Sequence, residues 1–94
     1  MIHLEGARLA VSGPLTIATV ATLENEGVAR VTEADRVVDL SGAGSVDSAA
    51  LALLLSWTRA AKGAGRQLSI VGAPPALLSL AALYDVDAIL PLAR

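Results

Sequence analysis

The sequence predicts a single α/β domain in which helices cover a mixed, mostly parallel sheet. Short strand-like runs alternate along the chain with longer helical segments, an order typical of parallel strands joined by helical crossovers. A chain of 94 residues has room for one hydrophobic core, so the domain comprises residues 1–94. The predicted order of elements is β-β-α-β-α-β-α.

The first two strands form a predicted hairpin within residues 2–12. Apolar residues alternate with polar ones on both sides of a turn at Gly6-Ala7, and they are Ile2, Leu4, Leu9 and Val11. Ser12-Gly13-Pro14 then ends the second strand.

The first helix is predicted over residues 15–28, although the composition of this segment is mixed. Its first half is rich in threonine and other β-branched residues, which favour strands. The length of the segment favours a helix, and Gly27 resembles a glycine that ends one.

The middle of the chain is predicted as a strand, a loop and a helix. Arg36–Leu40 is a short apolar strand, and Ser41–Val46 is a loop rich in glycine and serine. Asp47 suits the N-cap of a helix that begins at Ser48 and runs to residue 62. The glycines that follow at 63 and 65 end this helix.

The last part of the chain contains a further strand and a further helix. Gln67–Val71 is the predicted strand, and Pro74-Pro75 opens a helix over Ala76–Tyr84, since proline is tolerated in a first turn. The tail that follows contains one more apolar patch, Ile89–Leu92.

The helix from Ser48 carries more apolar residues than one buried stripe requires. At 3.6 residues per turn one face collects the residues expected to pack on the sheet, which are Leu51, Leu54, Leu55, Thr58 and Ala61. Leu53 and Trp57 fall on a different side. They pack either against a neighbouring helix of the same domain or against a partner protein.

Composition excludes several classes of function. The net charge is −2 and the chain has only two aromatic residues, so the basic stripe and stacking platform of nucleic-acid-binding proteins are both missing. There is no cysteine and one histidine, His3, which argues against a thiol nucleophile, a catalytic triad or a zinc site. The densest apolar run, Ala49–Leu55, is too short to span a membrane, and residues 1–23 lack the basic start of a signal peptide.

Two short motifs invite functional interpretations that their details disfavour. Gly42-Ala43-Gly44 lies between a strand and a helix, as in dinucleotide-binding loops, but the third glycine position is occupied by Asp47. Asp85 and Asp87 offer carboxylates to a cation, yet no further oxygen-rich cluster lies near them in the sequence. Neither a cofactor nor a metal is therefore expected.

The stretch Val37–Leu55, with its strand, loop and Asp47-Ser48 dipeptide at the start of a helix, resembles the signature of STAS domains. The predicted order of elements is also that of the STAS fold. Within the family the chain most resembles the MlaB-type branch, the small cytoplasmic subunits of Mla phospholipid-transport ABC systems. The matching segments are Val46–Leu55, Lys62-Gly63, Leu80–Tyr84 and Ile89–Pro91.

This resemblance implies a non-enzymatic, cytoplasmic subunit that binds the ATPase of an ABC transporter and meets the inner membrane only through that complex. The implied protein-binding residues are Asp47, Ser48, Ala49, Leu51 and Ala52. In another branch, the anti-sigma factor antagonists, Ser48 matches a serine that a partner kinase phosphorylates. That branch usually continues with Ser-Gly, whereas this chain has Ala49-Ala50.

Overall fold

The structure is a computed structural model that describes residues 1–93. Its main sheet has four strands in the order β1-β2-β4-β6: β1 is Ile2–Glu5, β2 is Arg8–Val11, β4 is Arg36–Asp39 and β6 is Leu68–Val71. β1 and β2 form an antiparallel hairpin, and the two remaining contacts between strands are parallel. The predicted α/β class with a mixed, mostly parallel sheet is confirmed.

A second, smaller sheet was not predicted. β3 (Gly13–Leu15) pairs in parallel with β5 (Ala43–Val46), so the prediction of a loop through residues 41–46 is wrong for its last four residues. Neither segment shows the alternation of apolar and polar residues that is typical of a half-buried strand. Each is held in the extended conformation by pairing with the backbone of the other. The Asp47 N–H donates to the carbonyl of Leu15 at 3.2 Å, which fixes the start of the following helix on this small sheet.

Three helices alternate with the strands along the chain: α1 is Val20–Glu33, α2 is Ser48–Gly63 and α3 is Pro75–Leu83. The bounds of α2 and α3 agree with the sequence prediction to within one residue. A helix is present as predicted, but its predicted bounds are wrong, because α1 begins five residues later than expected and continues past Gly27. Gly27 is buried in the middle of α1, where a Cβ atom would overlap the indole ring of Trp57.

The core lies between one face of the main sheet and the helices. The sheet contributes Leu9, Val11, Val38 and Ile70, and the helices contribute Leu23, Val31, Leu51, Leu53, Leu54, Trp57, Ala61, Leu77 and Ala81. Trp57 is fully buried, and its Nε1–H donates to the carbonyl of Glu24 on α1 at 3.2 Å. Of the two interpretations, packing within the domain is therefore correct for both Leu53 and Trp57, and a partner surface is wrong for Trp57.

The opposite face of the sheet carries an ion pair between neighbouring strands. Arg8 on β2 donates through Nε to the carboxylate of Asp39 at 2.7 Å, and Asp39 is only 8% exposed. Hydrogen bonds from Ser41, and then the guanidinium of Arg8, lower the pKa of Asp39 to about 2. The carboxylate is thus held ionised at the end of β4, close to the loop that leads to α2.

None of the helices within residues 1–93 combines the length and the apolar character needed to cross a membrane.

Candidate docking site at the start of helix α2

Asp47 caps α2 and ties it to the turn before α1. One carboxylate oxygen, Oδ1, accepts a hydrogen bond from the Ala49 N–H at 2.8 Å, which satisfies a free donor of the first helical turn. The other oxygen, Oδ2, accepts from the Ile17 N–H at 3.1 Å. Because both oxygens are engaged, Asp47 acts here as a structural clamp between two segments that border the same surface.

Ser48 and Ala52 form an exposed ridge on α2. They are one helical turn apart, so they lie above one another on the same side of the helix, and both are exposed. Ser48 is the first residue of α2, where free backbone N–H groups and the helix dipole favour negative charge. Small side chains on this ridge allow another chain to approach the helix closely.

On one side of the ridge lies a groove between α1 and α2, called here the α1 groove. It is open to solvent and has a volume of about 590 Å³. Its walls are lined by Ile17, Val20, Ala21, Glu24, Asp47, Ser48, Ala49, Ala52 and Leu53. Ile17 stands at its border, and 79% of its surface is exposed.

On the other side lies a smaller groove between α2 and the turn after α3, called here the Tyr84 groove. It has a volume of about 250 Å³ and is lined by Ser48, Leu51, Ala52, Leu55, Tyr84 and Val86. Tyr84 is 55% exposed, and its neighbour Leu83 is 75% exposed. Ser48 and Ala52 line both grooves, so a partner that covers the ridge has apolar depressions on its two flanks.

All five residues predicted to bind a protein line at least one of these grooves. Ser48 and Ala52 are exposed, and Asp47 and Ala49 are half-buried. Leu51 is buried and forms part of the wall of the Tyr84 groove. That these residues bind a protein stays a prediction.

Sequence reasoning missed the residues that other elements bring to the ridge. Ile17 and Glu24 come from the segment around the start of α1, and Tyr84 comes from the end of α3. The incorrect bounds of α1 placed Ile17 inside a helix, whereas it lies in the exposed turn before it. A tyrosine at the end of a predicted helix was the one local signal available for Tyr84.

The other candidate motifs lie away from this surface or have a structural role in the fold. His3 is exposed on β1, and Gly44 belongs to strand β5, packed against the backbone of β3. Asp85 has a φ of 59° and follows the C-terminal end of α3 in a turn. Within residues 1–93 no three histidine, aspartate or glutamate residues are grouped so that they could hold a metal ion.

Comparison with known proteins gives a match to one family model and to solved structures. The model described as "Mlab, STAS domain" matches residues 2–91. A putative anti-sigma factor antagonist from Thermotoga maritima superposes with a TM-score of 0.78 at 13% identity, over 98% of this chain and 83% of that one. The anti-sigma factor antagonist SpoIIAA, in its unphosphorylated form, superposes with a TM-score of 0.69 at 11% identity, over 100% of this chain and 86% of that one. No curated protein sequence gives a significant match.

Proposed function

Since the chain belongs to the STAS domain family and matches its MlaB-type model, we propose that it is an accessory subunit that binds the ATPase of an ABC-type phospholipid transporter. The observation that carries the proposal is the exposed ridge of Ser48 and Ala52 with an apolar groove on either side. The ridge belongs to the helix whose start resembles the family signature. The ATPase would cover the ridge and both grooves.

The proposed role is non-enzymatic and depends on surface contact. Two open grooves with mostly apolar walls suit side chains of another protein, because anchoring residues of interfaces fill such depressions and exclude water. The small size of the domain adds a second reason for a partner, since its own core gives it a modest margin of stability. The subunit would reside in the cytoplasm and meet the inner membrane only through the transporter.

Co-purification with an ABC ATPase of a phospholipid transporter from the same organism tests the proposal. We expect the wild-type proteins to form a complex, and we expect Ser48→Arg to weaken it at least about tenfold, which corresponds to about 1.4 kcal/mol. The arginine adds bulk and charge on the ridge between both grooves. Ser79→Arg is the matched control, because Ser79 is an exposed helical serine that lines neither groove. An intact complex with Ser48→Arg would contradict the proposed site.

A second candidate function is that of an anti-sigma factor antagonist controlled by phosphorylation of Ser48. The solved structures that superpose on this chain favour it, since both are described as anti-sigma factor antagonists. Ser48 is exposed at a helix N-terminus, where a phosphate group is accessible and electrostatically tolerated. Ala49-Ala50 stands against it, because that branch usually has Ser-Gly there. Mass spectrometry of the protein from its native cells distinguishes the two, and a phosphate on Ser48 would favour the antagonist.

A further inference from the structure

Most cationic side chains of the domain lie towards one end of the sheet, whereas carboxylates lie at both ends. Strands β2, β4 and β6 are parallel, so α1 and α2 both begin at the carboxyl edge of the sheet and both run towards the opposite edge. Within residues 1–93 every lysine and arginine belongs to the opposite edge or to the second half of a helix that runs to it: Arg8, Arg30, Arg36, Arg59, Lys62 and Arg66. Arg8 reaches Asp39 on the other face of the sheet, and neither the ridge nor the lining of either groove includes a lysine or an arginine from these residues.

Among residues 1–93, the charged side chains that line or adjoin the two grooves are carboxylates. Glu24 and Asp47 line the α1 groove, and Asp85 lies between two residues that line the Tyr84 groove. Both oxygens of Asp47 are occupied by backbone N–H groups. Glu24 and Asp85 are exposed, and neither side chain has a hydrogen-bond or ion-pair partner within residues 1–93. These two negative charges are thus available to a partner on either flank of the ridge.

From this charge distribution we infer that the ATPase segment that docks here is basic as well as apolar, with lysine or arginine side chains directed at Glu24 and Asp85. The inference rests on the proposed function and specifies the chemistry of the partner. Its short apolar side chains would enter the two grooves, while its cations would lie over the carboxylates at the rim. Charges at the rim of an interface act mainly on the rate of association, because complementary potentials steer the encounter.

Two charge reversals on α1 distinguish a specific contact of the partner with Glu24 from a general effect of net charge on association. Glu24→Lys and Glu26→Lys change the net charge by the same amount, and both residues are exposed. They are two positions apart on α1, so their side chains point in very different directions, and Glu26 does not line the α1 groove. Asp85→Asn adds a neutral substitution at the second carboxylate, because asparagine tolerates the left-handed backbone found there.

The experiment measures association and dissociation rates of each variant with the purified ABC ATPase at low and high salt. At about 50 mM salt we expect Glu24→Lys to lower the association rate about three- to tenfold and Asp85→Asn about twofold, with less than a twofold effect of Glu26→Lys. At about 500 mM salt the difference between wild type and Glu24→Lys should shrink, because screening removes the steering. Fluorescence of the buried Trp57 reports that each variant is folded.

Two results would overturn the inference and are distinguishable from failure of the proposed function. Equal effects of Glu24→Lys and Glu26→Lys, or association that does not respond to salt, would show that the partner segment is not basic while leaving the docking proposal intact. Absence of any wild-type complex with the ATPase would refute the proposed function and the inference together.

Discussion

At the scale of single residues, the contact between Gly27 and Trp57 determines how closely α1 and α2 pack. Gly27 is buried in the middle of α1, and Trp57 on α2 fills the space that a larger side chain would need. The indole Nε1–H also bonds to the carbonyl of Glu24, so the ring is held in both position and orientation. The α1 groove lies between the same two helices, and its shape therefore depends on this contact.

We predict that Gly27→Ala destabilises the domain by about 1–3 kcal/mol, although alanine is the better helix former by about 1 kcal/mol. The added methyl group overlaps the indole ring, and rigid packing leaves it no space. Urea unfolding followed by circular dichroism measures the change. Gly63→Ala is the control, because Gly63 ends α2 and a methyl group added there would meet no neighbouring atom within 4 Å. It should be neutral or slightly stabilising, and an equally neutral Gly27→Ala would contradict the packing argument.

At the scale of elements, α2 and α3 could be predicted because local sequence signals mark their ends, whereas the bounds of α1 could not. Asp47 and the glycines around residue 64 delimit α2, and Pro74 precedes α3, so physical rules that act within a few residues suffice there. α1 has no side-chain cap at Thr19, and its internal glycine is explained only by Trp57, thirty residues away. Strands β3 and β5 likewise form by pairing with each other, and no local sequence pattern encodes that pairing.

The candidate site shows the same division between local and long-range information. The part on α2 follows from a capped helix with an exposed ridge at its start, and the resemblance to a family gave that ridge a role. Ile17 and Tyr84 reach the site from other elements, and their arrival depends on how α1 and α3 pack against α2. Such tertiary neighbours are invisible to periodicity, which describes one element at a time.

The link from Asp47 to both α2 and the turn before α1 leads to a prediction at this scale. Asp47→Asn keeps one side-chain oxygen that can cap the Ala49 N–H, but its amide group cannot accept the second bond from Ile17. We expect faster hydrogen exchange at the Ile17 amide, little change at Ala49, and a loss of stability below about 1 kcal/mol. Asp47→Ala, which removes both acceptors, should release both amides and cost about 1–2 kcal/mol. Equal exchange at Ile17 in all three proteins would contradict the clamp.

At the scale of the whole molecule, the domain separates stability from recognition. The buried core consists of aliphatic residues and Trp57, whereas several large apolar residues remain outside it at the carboxyl edge of the sheet. Ile17 and Tyr84 are among these, on opposite flanks of the Ser48 ridge. Their exposure contributes little to the isolated fold, so their replacement tests recognition with little disturbance of stability.

A partner that covers the ridge would fill both grooves at once. Substitution of Ile17 and Tyr84, the apolar residues on the two flanks of the ridge, tests this expectation. Ile17→Ser and Tyr84→Ser should each weaken the complex with the ATPase by about 1–2 kcal/mol, because each removes an apolar anchor that the partner would bury. If one partner fills both grooves, the double variant should lose about the sum of the two effects, since the anchors are separated by the ridge and share no contact. Isothermal titration calorimetry measures the affinities.

Ile89→Ser controls for the loss of an exposed isoleucine, because Ile89 is 62% exposed and lines neither groove. Should Tyr84→Ser bind as tightly as wild type while Ile17→Ser does not, the partner would occupy the α1 groove alone, and the two-sided docking surface would have to be reduced to one flank of α2.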